Sequence, residues 1–162
     1  MFVSEDERIF EIIEEFINEC RNNFNDDVKI DWLRSVGKEK FLKEYCTLKL
    51  IFPRQKGSST LALKLFDKYD ANLCNIMERY CQTQKDRIKT GVRSFDDGRL
   101  IYEFKNKEKV KDVININSQK FTNDFKEVII IDHYTYTKGD SLERFYKAIS
   151  ESSTVKCIIC FG

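Results

Sequence analysis

Two short apolar runs constrain this chain more than any other feature. Glu127-Val128-Ile129-Ile130-Ile131-Asp132 and Val155-Lys156-Cys157-Ile158-Ile159-Cys160-Phe161 show almost no polar alternation. Runs of this length, rich in β-branched residues, read as strands buried on both faces, which is the condition of a parallel sheet. A polar turn through Gly139 and Asp140 and a helix over Ser141–Ser150 separate them, with Asp140 and Glu143 at capping-box spacing. Strand, helix and strand in this order define a right-handed crossover, and the sheet then needs helices on both sides.

The rest of the chain fits that frame. Its 162 residues suit one domain, and 41% hydrophobic content with thirteen Phe and seven Tyr fills a core and argues against disorder. With 28 Lys and Arg against 27 Asp and Glu, the net charge of +1 gives no global field for nucleic acid or membrane. DNA contact is left to a local patch, and Lys85, Arg87, Lys89 and Arg93 stand beside Asp86, Asp96 and Asp97, which makes a mixed solvated face. No apolar run approaches the roughly 20 residues that span a bilayer. Met1–Phe10 carries Glu5, Asp6, Glu7 and Arg8 and does not read as a secretory leader, so a cytoplasmic or host-cell interior location is expected.

Six cysteines are scattered through the chain. The core is large enough to dispense with disulfide staples, so buried, reduced thiols are expected. Cys157 and Cys160 have metal-like spacing, but a zinc ribbon needs a second pair, which His133 and the other cysteines do not obviously supply.

Residues 1–45 form an N-terminal helical segment. Ser4 and Glu7 have capping-box spacing, and Ile9, Phe10, Ile12, Ile13, Phe16, Ile17 and Cys20 make one stripe. Asn22–Asp27 reads as a polar turn, and a second helical stretch runs from about Asp31 to Tyr45, with a break at Gly37. Residues 46–162 form the α/β core. Thr47–Phe52 reads as a strand, Pro53–Ser59 as a loop and Thr60–Tyr69 as a helix. Ala71–Lys89 looks helical too, Gly91–Lys105 suggests a hairpin turned at Asp97-Gly98, and Lys105–Lys111 reads as a solvated connector.

The chemistry concentrates in the loop. Phosphate needs backbone N–H groups converging at the positive end of a helix, and a strand, a glycine-bearing turn and a helix opened by hydroxyl residues provide them. Phe52-Pro53-Arg54-Gln55-Lys56-Gly57-Ser58-Ser59-Thr60 has this form. Against Gly-x-x-x-x-Gly-Lys-[Ser/Thr], alignment on Gly57 puts Ser58 at the Lys, Ser59 at the metal-binding hydroxyl and Phe52 at the first Gly.

Pro53-Arg54-Gln55-Lys56-Gly57-Ser58-Ser59-Thr60 resembles the deviant loop [Ser/Pro]-Arg-x-x-Gly-Lys-[Ser/Thr] of the ATPase of viral DNA-packaging terminase large subunits. Trp32-Leu33-Arg34 and Lys40-Phe41-Leu42 look like the segment that precedes this loop in that family, near the adenine site. Val128–Asp132 resembles its Walker B strand, and Lys156–Cys160 the strand leading to its coupling motif. The resemblance covers about Trp32 to Gly162 with gaps. It implies a three-layer P-loop NTPase-like parallel sheet preceded by N-terminal helices. It also implies ATP and Mg²⁺ as cofactors, with Arg54, Gln55, Lys56, Gly57, Ser58, Ser59 and Thr60 around the phosphates and Ser59 and Asp132 on the metal.

Two departures bear on activity. The loop Lys is absent, and Arg54 or Lys56 replaces its charge only by reaching over the loop. His133 stands where the family has its catalytic Glu, and a neutral imidazole can still accept a proton. The family's nuclease domain has no counterpart here. The expected function is therefore that of a small, degenerate terminase-like ATPase domain linked to viral DNA packaging, with weak or no hydrolysis and other packaging proteins as partners. The competing expectation is a non-enzymatic mimic that binds a packaging or other protein and modulates it. An unrelated α/β binding module is the third. The nucleotide reading requires the turn after the first strand to face the carboxylate that closes the neighbouring one.

Overall fold

Helix α1 (Glu5–Asn23) forms because apolar residues recur at helical spacing, and it buries Ile13, Ile17 and Cys20 against the sheet. Ile12, grouped above with that stripe, is instead 53% exposed, since it lies a quarter turn away from the buried seam. The computed structural model describes residues 5–51, 58–90, 92–93, 100–102, 104–117, 124–134 and 139–162. The Ser4–Glu7 cap, the turn at Asp97-Gly98 and loop residues 52–57 lie outside the described positions.

Helix α2 (Asp27–Val36) starts earlier than the sequence pattern implies. Asp26 accepts from the N–H groups of Val28 and Lys29 and so caps it, which brings 28–30 into helix, while the expected polar turn stands at Phe24-Asn25 between α1 and this cap. The break at Gly37 stands. Its φ of 88° and ψ of 153° belong to a region that glycine alone adopts freely, and α3 (Lys38–Tyr45) begins directly after it.

Five parallel strands follow: β1 (Thr47–Leu50), β2 (Ala71–Asn75), β5 (Val113–Asn115), β6 (Val128–Ile131) and β7 (Cys157–Phe161), ordered β1-β7-β6-β2-β5. The short pair β3 (Val92–Arg93) and β4 (Leu100–Tyr102) is antiparallel and separate from this sheet. Helices α4 (Ser58–Lys68), α5 (Glu78–Thr90) and α6 (Asp140–Ser150) connect the strands.

Three readings change here. Ala71–Asn75 is not helix but a fully buried strand, and α5 begins only at Glu78. Two asparagines hide it by composition, yet Asn72 donates to the Asp112 carbonyl and accepts from the Lys126 N–H, which makes its burial tolerable. The connector over Lys105–Lys111 is solvated as expected, with no buried residue, but it contains a 3₁₀ turn (Lys107–Asp112) and leads into β5. Its Lys109 ammonium donates to the carbonyls of Phe66, Asp67 and Tyr69 and closes the C-terminal end of α4. Finally, α6 is preceded by Gly139 with no side-chain cap bond, so Asp140 and Glu143 do not form the expected capping box.

Side-chain alternation on β7 defines the layers. Cys157 meets Cys20 of α1 on one face, whereas Cys160 meets Tyr146 of α6 on the other. Helices α1 and α4 pack together on the first face, and α3 packs beside α6 on the second. The β1-α4-β2 and β6-α6-β7 connections travel in opposite directions across the sheet, so right-handed crossovers must put α4 and α6 on opposite faces. The expected three-layer α/β architecture is therefore present. All six cysteines are free and buried.

Candidate functional site

Parallel strands end together, so one edge of this sheet collects Leu50, Phe161, Ile131, Asn75 and Asn115. The chain moves from β6 toward β7 in one direction and from β2 toward β5 in the other. The crevice beyond the carboxyl ends of β6 and β2 is thus a topological switch point, the usual ligand position in open α/β sheets. Asp132 stands at that crevice, first after β6, and is only 1% exposed. Its N–H donates to the Cys74 carbonyl at 3.0 Å, which continues the ladder one residue past the strand. Ladder parity then turns its side chain to the face covered by α1 and α4.

The carboxylate is well held. Oδ1 accepts from the His133 N–H at 2.9 Å. Oδ2 accepts from Gln84 Nε2 of α5 at 3.0 Å. His133 Nε2 lies 3.7 Å from the same oxygen. His133 has a φ of 53°, a left-handed conformation that His tolerates better than most residues. Its ring stacks on Tyr80 with centroids 4.3 Å apart and planes 21° from parallel, while the Arg79 guanidinium lies 4.9 Å from the Tyr80 ring centroid and donates to the Tyr80 hydroxyl at 3.2 Å. Imidazole and phenol thereby form a partly exposed stack beside Asp132, with the guanidinium next to the phenol.

β7 separates β1 from β6, so the strand closed by Asp132 is not the immediate neighbour of the strand that leads into the loop. Two strand spacings put their axes about 10 Å apart. The ends still communicate: the Lys49 ammonium of β1 lies 5.2 Å from the ring of Tyr134, two residues beyond Asp132. Residues Arg54, Gln55, Lys56 and Gly57 lie outside the described residues. Ser58, Ser59 and Thr60 form the first turn of α4, which starts at Ser58 rather than Thr60. Strand, intervening segment and helix thus follow in the expected order. Trp32, read as part of the segment near an adenine site, rests against Tyr45 with ring centroids 5.2 Å apart.

Several neighbours of Asp132 escape sequence reasoning. Asn75 closes β2 beside it in register, and Asn115 closes β5 beside Asn75. Asn115 donates to Glu78 at 3.0 Å, and this bond together with one from Gln82 holds the Glu78 carboxyl below its ordinary range. Cys81 lies under Asn75, its Sγ 3.8 Å from the Asn75 carbonyl, and burial pushes its thiol up to about 11. The signal available for Asn75 and Asn115 was weak: a polar amide ending a short apolar stretch.

Among the described residues no group of three His, Cys, Asp or Glu side chains could hold a metal ion. A hard cation at Asp132 would depend on one carboxylate, whose oxygens accept from the His133 N–H and from Gln84 Nε2. Such a donor set suits Mg²⁺, which keeps waters and takes its other ligands from phosphate. Among the described residues no helix is long and apolar enough to cross a membrane. No family model, curated protein or solved structure matches this chain.

Proposed function

We propose that this chain is a P-loop-like nucleotide-binding domain similar to the ATPase of viral DNA-packaging terminases, taking ATP with Mg²⁺ and hydrolysing it weakly or not at all. The observation that carries the reading is the sheet order. The segment joining β1 to α4 leaves the same edge that carries Asp132, and a single strand intervenes. A turn leaving β1 needs to cover only about 10 Å to bring a phosphate held over α4 to a cation on Asp132.

In this reading Arg54 and Lys56 supply positive charge to the phosphates, and Gly57 lets the backbone approach. Gln55, Ser58 and Thr60 add donors around them, while Ser59 and Asp132 hold Mg²⁺, whose charge offsets that of the phosphates. His133 stands in the place of a general base. Its stacking on Tyr80 and its approach to Asp132 restrict the ring, so it replaces a carboxylate poorly in orienting water. Slow turnover follows from this together with the missing loop Lys.

Calorimetry with Mg²⁺ and ATP tests the reading. Binding heat in the wild type that disappears in both Arg54→Ala and Asp132→Ala supports it, and absence of heat at millimolar ATP refutes it. Recovered turnover in a Ser58→Lys/His133→Glu variant would add that the hydrolytic geometry persists.

A second reading, a non-enzymatic modulator of a packaging or other protein, has one observation in its favour. Helix α2 buries no residue, and Val28 (73% exposed), Trp32 (52%) and Val36 (37%) recur on it at four-residue spacing. A Trp32→Ser variant that keeps its fold but no longer binds a packaging motor would favour this reading over the first.

A further inference from the structure

Two buried polar atoms beside Asp132 have no partner among the described residues: Asn75 Nδ2 and Gln84 Oε1. Neither residue reaches solvent, with Asn75 0% and Gln84 3% exposed. An orphaned buried donor or acceptor is costly, and native interiors pair nearly all of them with protein or with ordered water. The amide orientations are fixed by their other bonds. Asn75 Oδ1 accepts from the Ile76 N–H at 3.0 Å, which leaves Nδ2 as a free donor. Gln84 Nε2 donates to Asp132 at 3.0 Å, which leaves Oε1 as a free acceptor. Rotating either amide by half a turn would set like against like.

Both residues neighbour Asp132. Asn75 lies beside Asp132 across adjacent strands, because Cys74 pairs with Ile131 and the ladder continues through the Asp132 N–H. Gln84 reaches the same carboxylate from α5. A ligand for this place must accept one hydrogen bond and donate another, must carry no charge, and must be small enough to leave the side chains sealed from solvent. Water meets all these conditions, and with its second hydrogen on Asp132 it would have three partners, the usual number for a buried water.

We propose that Asn75, Gln84 and Asp132 enclose one ordered water molecule, and that this water fixes the Asp132 carboxylate to β2 and α5. Water accepts from Asn75 Nδ2 and donates to Gln84 Oε1 and to the carboxylate. Asn75 is thus a positioning residue for Asp132. Its consequence for Mg²⁺ rests on the nucleotide reading above; the presence of the water does not.

The test is water-to-protein magnetisation transfer by NMR on the full chain. The Asn75 side-chain amide protons should show a cross-peak to water with the sign of a long-lived, bound molecule, and it should weaken in Gln84→Met. Absence of the cross-peak in the wild type overturns the proposal, even if every variant fails to fold. Asn75→Leu removes the donor, whereas Asn75→Ser keeps a hydroxyl in its place. Mg²⁺-dependent ATP affinity should fall about 10- to 100-fold in Asn75→Leu, as for other outer partners of metal ligands, and recover in part in Asn75→Ser. Unchanged affinity in Asn75→Leu overturns the positioning role. A wild type that binds no Mg²⁺ and ATP refutes the nucleotide reading instead, and the cross-peak still decides the water.

Discussion

Alkaline pH should unfold this protein abruptly, because its thiols are protonated inside and free to ionise outside. Cys20, Cys46, Cys74 and Cys160 are each 0% exposed. The Cys157 thiol and burial raise Cys20, and the Cys20 thiol and burial raise Cys46, both far above the ordinary 9.0. Burial raises Cys74 well above it and Cys160 to about 12. A folded-state pKa above the unfolded one contributes stability that is intact below pH 9 and is lost as pH rises toward the folded value. At pH 10, one unit above the unfolded pKa, each such thiol has lost about 1.4 kcal/mol of stability, so four lose about 5 to 6 kcal/mol. That is a large part of the 5–15 kcal/mol, roughly, that holds a domain of this size together. Urea unfolding followed by circular dichroism, with a phosphine reductant present, should give midpoints steady from pH 7 to 8.5 and collapsing between pH 9.5 and 10.5. A Cys74→Ala variant should show a shallower fall. Stability that stays flat to pH 10 would refute the reasoning.

Other perturbations probe the scaffold. Ile130→Ala, at a 0% exposed position of a central strand, should cost about 2–5 kcal/mol in chemical denaturation. Gly37→Ala should cost about 1–3 kcal/mol through backbone strain alone, since nothing lies within 4 Å of the added methyl group. Lys109→Met should cost about 1–2 kcal/mol, discounted for its partial exposure, and should speed amide exchange in the last turn of α4.

The parts of the fold visible in the sequence are those whose burial is reflected in their own composition. β6 and β7 are covered on both faces, so every position had to be apolar and no periodicity was needed to find them. β2 is equally buried but carries Asn72 and Asn75, and the partners of Asn72 lie 40 and 54 residues distant in sequence, so local propensity misreads it. β5 has three residues next to a lysine-rich turn, too few to show a pattern. The site divides in the same way. Asp132 is marked by the apolar run it terminates, whereas Gln84 sits on a polar helix and acquires meaning only from the carboxylate it meets across 48 positions. Asp132 was expected on the strand next to β1, an order that sequence adjacency cannot supply, because β7 inserts last and between them.

The most direct test of a nucleotide at this edge replaces Mg²⁺ by Mn²⁺ and reads paramagnetic broadening of backbone amide signals with ATP present. The account predicts strong broadening at Asn75, Asp132, His133 and Ser59, and little at Thr47, Ala71 and Val128, which begin the same strands. Broadening centred on those amino-terminal ends, or none with ATP in excess, would contradict it.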